Sequence, residues 1–217
     1  MRTFMRLWAA APLLVLAGAC ATKPYDYTAF KLHKPRSILV LPPLNSSTEV
    51  QGSYSCLATV TKPIAEQGYY VFPVQVIDEM LKENGLPTPG EMHQASPKKI
   101  AQIINPDAIL YLDVSGYGSK FHVVSSDTRV TVHGRLVHTK TGTLLWEGSA
   151  TGGESSNTGG QNQGLLGMVV NAAVAQAINS SLDRSHEICR LVTNMLLTTK
   201  DHGLLAGPYK PAEAAKE

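Results

Sequence analysis

Apolar positions along this chain change period several times between residues 36 and 200, and each change marks an element. Arg36-Ser-Ile-Leu-Val-Leu runs into Pro42-Pro43. Consecutive apolar residues halted by two prolines predict a buried central strand. Residues 44–53 are polar and predict a loop. From Tyr54 to Gln67 the spacing becomes helical, with Leu57, Val60 and Ile64 on one face and Gly68 placed as a C-cap. Pro63 inside that window predicts a late start or a kink. Tyr69-Tyr-Val-Phe is β-rich and stops at Pro73. Val76, Ile77, Met80 and Leu81 predict a second helix, closed by Asn84-Gly85. Residues 86–95, with Pro87, Pro89 and Gly90, predict a loop. Ser96-Pro97 is a serine N-cap followed by proline in the first turn; it opens a third helix whose apolar face is Ile100, Ile103 and Ile104.

The second half reads differently. Ala108 to Val114 is another apolar strand. Ser125 to His138 alternates, with Val130, Val132, Gly134 and Leu136 on one face and Thr131, His133, Arg135 and Val137 on the other. Thr139-Lys-Thr-Gly142 is a hairpin turn, and Thr143 to Gly148 returns as the partner strand. Residues 151–164 are rich in Gly, Ser, Asn and Gln and predict a mobile loop. A long helix follows, from Leu165 to about Thr198. Its first half is apolar nearly all round, where a surface helix carries one stripe of limited width. Leu165, Leu166, Met168, Val169 and Val174 are therefore candidate interface residues, covered either by the domain itself or by a partner. Its second half is amphipathic. The β-α-β-α-α-β-β-β order predicts an α/β fold: one domain, a mixed β-sheet with helices packed on its faces, and a long C-terminal helix.

The first twenty residues carry the clearest chemistry. Arg2 and Arg6 precede a thirteen-residue apolar stretch, Leu7 to Ala19, in the proportions of a secretory signal peptide. It is too short to span a membrane, which needs about 20 apolar residues. Ala17-Gly-Ala-Cys20 resembles the bacterial lipobox. That resemblance implies cleavage before Cys20 and acylation of Cys20, with palmitate among the chains. Ala21, where some lipoproteins have Asp, resembles the sorting signal for the outer membrane. The expected organisation is a signal peptide over 1–19, a lipidated cysteine and tether over 20–35, a globular domain over 36–199 and a flexible tail over 200–217. Fifteen extended residues after Cys20 would reach about 50 Å.

Cleavage also changes the charge. Lys+Arg number 19 and Asp+Glu 17, and the two lost arginines cancel that excess. With Lys98-Lys99 the longest basic run, no phosphate-binding stripe exists and nucleic acid is not an expected partner. Of three cysteines, Cys20 is assigned to lipid. Cys56 and Cys189 remain, either as a disulfide worth roughly 5 kcal/mol in the chain-entropy model or as two separate buried thiols. The chain has no G-x-S-x-G elbow, no phosphate-binding loop with lysine and no H-E-x-x-H, so neither catalytic residues nor a metal or cofactor is expected. His133 and His138 fall on opposite faces of one strand. Asp78-Glu79 beside Lys82 predicts ordinary solvated charges.

Ser37-Ile-Leu-Val-Leu-Pro-Pro, Gly68-Tyr-Tyr-Val-Phe-Pro-Val, Asp78-Glu-Met-Leu-Lys-Glu-Asn-Gly, Asp107-Ala-Ile-Leu-Tyr-Leu-Asp and Gly142-Thr-Leu-Leu-Trp-Glu-Gly occur in one order. That order, over roughly residues 20–200, resembles a bacterial lipoprotein family of unknown function typified by the neisserial genome-derived antigen lipoprotein. More distantly it is similar to the amino-terminal domain of the Tol-system propeller protein and to the periplasmic region of the curli-secretion lipoprotein. The resemblance implies an outer-membrane lipoprotein that works by assembly, as a homodimer or beside an envelope partner such as a curli-secretion-like lipoprotein. It supplies no catalytic residue. The function expected is a non-catalytic structural or adaptor component of a cell-envelope or secretion assembly; the alternatives are a ligand or peptidoglycan binder and, behind it, a hydrolase.

Overall fold

A computed structural model describes residues 25–121, 126–155 and 184–211. Its order is α1 (Thr28–His33), β1 (Ser37–Val40), β2 (Leu44–Asn45), α2 (Gly52–Glu66), β3 (Tyr70–Val71), α3 (Val74–Glu83), α4 (Pro89–Gln94), α5 (Pro97–Ile103), β4 (Ala108–Gly116), β5 (Ser119–Phe121), β6 (Ser126–His138), β7 (Leu144–Ser155) and α6 (Arg184–Thr198). The strands make one mixed sheet. β1 pairs in parallel with β3 and β4, and β2 continues that parallel pairing further along β4. β4, β6 and β7 then form an antiparallel meander, with β5 extending the β4 side of β6.

Side-chain alternation along the central strands separates two cores. Ile38, Val40, Ala108, Leu110, Leu112 and Val114 face α2 and α6. Leu39, Leu41, Ile109 and Tyr111 face the other way, against Ile77, Leu81, Met92 and Ile100 of α3, α4 and α5. The β1–β4 half of the sheet is thus buried on both faces, which is why those strands read as unbroken apolar runs. β6 and β7 pack against α6 on one face, and on the other only the end of β6 at Val137 meets the second core among the described residues. Their other face keeps Arg129, His133, Arg135, Glu147 and Ser149 exposed, as antiparallel sheets permit.

α2 and α6 pack side by side through small polar residues. Thr193 Oγ1 donates to Thr59 Oγ1 at 3.2 Å, and both threonines also bond within their own helices, Thr59 to Cys56 O and Thr193 to Cys189 O. Cys56 and Cys189 face each other at the same level in disulfide geometry, Cα atoms 5.8 Å apart and 133 residues apart in sequence. At β1, Asp107 Oδ2 accepts from the backbone N–H groups of Arg36 and Ser37, while Asp107 N donates to Ser37 Oγ. This reciprocal pair sets the parallel register of β1 against β4.

Five expectations need correction. Pro63 neither delays nor divides α2, which runs as one 15-residue helix from Gly52. Residues 86–95 are not all loop: Thr88 and Glu91 form a reciprocal capping box that starts α4. Residues 151–155 belong to β7, held by a full ladder to β6 and a Thr131–Thr151 hydroxyl bond of 3.0 Å. The carboxylate of Asp78 is nearly buried and meets Lys82 Nζ at 2.6 Å, so it is not a solvated charge. Finally, the domain extends past 36–199 at both ends. Phe30 is buried in the supposed tether, and Leu204 in the supposed tail.

Trp146 holds the C-terminal end in place. It is fully buried, and its indole lies over Gly134 and Gly148 beneath Leu196 of α6. A Cβ built on Gly148 would sit 2.7 Å from the indole ring. The indole Nε1–H donates to the carbonyl of His202 at 2.7 Å. Trp146→Phe should therefore cost about 2 kcal/mol, from the vacated volume and an unsatisfied carbonyl. Gly148→Ala should cost about 1–3 kcal/mol by overpacking. Urea denaturation of both variants checks this, and wild-type stability in Gly148→Ala would contradict the packing described.

Candidate interaction surface

The residues expected to carry function divide sharply. Cys20, Leu165, Leu166, Met168, Val169 and Val174 lie outside the described residues. Cys56 and Cys189 are brought together inside the α2–α6 contact. Among the described residues no cluster of His, Cys, Asp and Glu could hold a metal ion, and no helix is long and apolar enough to cross a membrane.

One surface missed by sequence pattern is an aromatic clasp at the start of the described chain. The rings of Tyr25 and Tyr27 lie 5.0 Å apart, Tyr27 meets Phe30 at 6.3 Å, and Phe30 meets Tyr69 at 6.5 Å. Each tyrosine also bonds backbone at the other end of the chain. Tyr27 donates to Gly203 O and Tyr69 to Leu205 O. Tyr25 accepts from Glu147 N on β7, and Tyr25 N donates to Asp201 O. Burial pushes all three phenols above their ordinary pKa. The 203–210 segment closes the arrangement through bonds from Leu204 N to Leu197 O, Gly207 N to Gln67 O and Tyr209 N to Gly68 O.

A second surface lies at the loop after β1. Pro43, Leu44, Asn45, Ser47, Thr48, Val50, Ser53 and Tyr54, with Pro89 and Gly90, line an open groove of about 430 Å³. Val50, just before α2, and Tyr54, in its first turn, are 84% and 61% exposed beside it. Asn45 shapes the loop, its side chain bonding Ser47 and the carbonyl of Glu49. The groove is apolar at its rim and carries no charged lining residue.

The exposed face of the sheet brings together groups that lie apart in sequence. His133 Nε2 meets Ser115 Oγ at 3.1 Å, and Asp113 stands opposite His133 in the β4–β6 register. This is not a catalytic triad. The Asp113 carboxylate accepts from Ser46 at 3.2 Å, and Ser115 stands exposed on an open sheet. A serine nucleophile needs a base oriented by a third group and donors for the oxyanion. A second serine–histidine contact, Ser55 Oγ to His186 Nδ1 at 2.7 Å, lies beside Tyr117, whose hydroxyl donates to Ser55. It joins α2 to α6.

On the same side, His93 Nε2–H donates to the carbonyl of Pro42 at 3.0 Å and lies edge-on to Tyr111, which also carries the Arg135 guanidinium on its face. Burial, aided by Arg135, holds the His93 pKa below its ordinary value against the opposing effects of the Pro42 bond and Asp113. The unfolded chain therefore takes up a proton first as pH falls, so stability decreases below about pH 6.5 until His93 protonates in the fold as well. Denaturation midpoints at about pH 7.5 and about pH 5.5 should differ in that direction, and the difference should shrink in His93→Gln.

The family described as "Putative lipoprotein GNA1162-like" matches residues 25–209, a span that begins at the clasp and ends in the segment it holds. The lipoprotein NMB1124/NMB1162 of Neisseria meningitidis serogroup B is 44% identical over 209 residues, covering 95% of this chain and 96% of that protein. The crystal structure of lipoprotein GNA1162 from Neisseria meningitidis aligns with a TM-score of 0.56 at 45% identity, covering 67% of this chain and all of the other. A PelC dodecamer from Paraburkholderia phytofirmans aligns at a TM-score of 0.39 with 14% identity, over 60% of this chain and 78% of its own.

Proposed function

The chain belongs to the GNA1162-like lipoprotein family, and from that premise we propose that it is an outer-membrane lipoprotein, acylated at Cys20, that serves as a non-catalytic adaptor in a cell-envelope assembly. The observation that carries the adaptor reading is the open apolar rim of Val50 and Tyr54, on a body whose described serine, histidine and acid groups converge on no enclosed site. Exposed apolar side chains beside a groove are a common feature of protein contact surfaces. Leu165, Leu166, Met168, Val169 and Val174 are proposed as further contact residues, toward a second copy or an envelope partner. The lipid confines the body to two dimensions and raises its effective concentration beside membrane-bound partners. An oxidising envelope compartment also suits a Cys56–Cys189 bridge, which would fasten α2 to α6 on the sheet.

Intact mass spectrometry of the membrane-extracted protein tests this. The expected species lacks residues 1–19, carries acyl chains on Cys20 and gains two hydrogens on reduction. Cys20→Ala should leave the membrane fraction for the soluble one. Unchanged membrane attachment in that variant would overturn the anchor.

A further inference from the structure

The anchor and the clasp together determine which side of the body faces the lipid. Only five residue steps separate Cys20 from Tyr25, whose position is set by Glu147 and Asp201. At about 3.3 Å per step the chain between them spans at most about 17 Å, a third of the reach expected of a full tether. Tyr25 and the elements packed beside it therefore stay within that distance of an anchor at Cys20.

Tyr25 itself stands among the acidic residues Asp26, Glu147 and Asp201, and beyond them α1 carries an apolar and basic surface. α1 begins three residues after Tyr25, and Leu32 on it is 77% exposed. Lys31 and Lys34 flank Leu32 and are also exposed. Both lysines line an apolar groove of about 280 Å³ with Phe30, Pro35, Tyr69 and the 205–208 segment. The groove has no acidic lining residue. Its far rim continues into the exposed Tyr209 and into Lys210, whose ammonium reaches Gln67 Oε1 at 3.1 Å. Neither Lys31 nor Lys34 is engaged in an ion pair among the described residues.

We propose that α1 and the 205–210 segment form a membrane-apposed face that docks on anionic phospholipid, with Lys31, Lys34 and Lys210 at the headgroups and Leu32 and Tyr209 at the interface. This rests on Cys20 being the anchor. Juxtamembrane lysines gain attraction from an anionic surface, and tyrosine is favoured at the headgroup level. Docking here leaves the Val50–Tyr54 rim as a separate surface for partners. A protein partner on the same face is the competing occupant.

The test uses the full acylated protein, reconstituted in vesicles of phosphatidylcholine alone or of phosphatidylcholine with phosphatidylglycerol. Flotation reports the anchor, and labelling by a water-soluble amine reagent reports the face. Lys98 and Lys99 on α5 serve as internal references. With phosphatidylglycerol, labelling of Lys31, Lys34 and Lys210 should slow about fivefold relative to the references, and high salt should reverse it. Leu32→Ser should weaken the protection, and Lys31→Glu with Lys34→Glu should abolish it at Lys210. Protein that floats in both vesicles yet labels equally in both overturns the docking face and leaves the anchor standing. Protein that fails to float overturns the anchor itself. Protection that is equal in neutral vesicles and rises with protein concentration overturns the lipid in favour of a second copy.

Discussion

Trp146 is the point on which the two ends of this domain depend. Its indole fills the space that Gly134 and Gly148 leave open on β6 and β7, and Leu196 of α6 closes over it. The one polar atom of that ring needs a partner once buried, and it takes the carbonyl of His202. That bond fixes the turn after α6. The turn in turn presents Asp201 and Gly203 to Tyr25 and Tyr27. Removing the indole would loosen the C-terminal segment first, then the N-terminal clasp, and with the clasp the point from which the chain leaves toward Cys20.

The strands and long helices were legible because each has a period of its own. Ile38 to Val40 and Ala108 to Val114 read as buried strands because both their faces are covered. Alternation in β6 showed which residues face α6, and Gly142, with φ +72°, sits in the turn that its dipeptide predicts. Segments without a period were misread. Tyr25 and Tyr27 hold their segment through phenols that bond residues more than a hundred positions away, and Phe30 through a ring contact with Tyr69, and no local window contains that signal. Thr151 to Ser155 read as loop because glycine weakens a strand. Gly153 is there because a Cβ would come within 2.6 Å of the Thr128 carbonyl. At α4 the signal was present: Thr88 and Glu91 have capping-box spacing, masked by the neighbouring prolines and glycine.

The candidate surfaces were less legible than the fold. Exposure of Val50, Tyr54 and Leu32 depends on how loops and a short helix seat against the sheet, and polarity alone does not encode that. Two serine–histidine contacts, Ser115 with His133 and Ser55 with His186, arise only in space, and neither could be read from sequence spacing. A clasped N-terminus, a covered core and open apolar rims fit a protein that presents surfaces at a membrane.

A photo-activatable side chain at Val50 or Tyr54, in intact cells expressing the full chain, tests the adaptor account most directly. The account predicts a discrete cross-linked species at one or both positions, identified by mass spectrometry as a second copy or another envelope protein, and its loss when Cys20 is replaced by Ala. Membrane-attached protein that gives no cross-link from either position, or gives the same cross-link without the anchor, would contradict it.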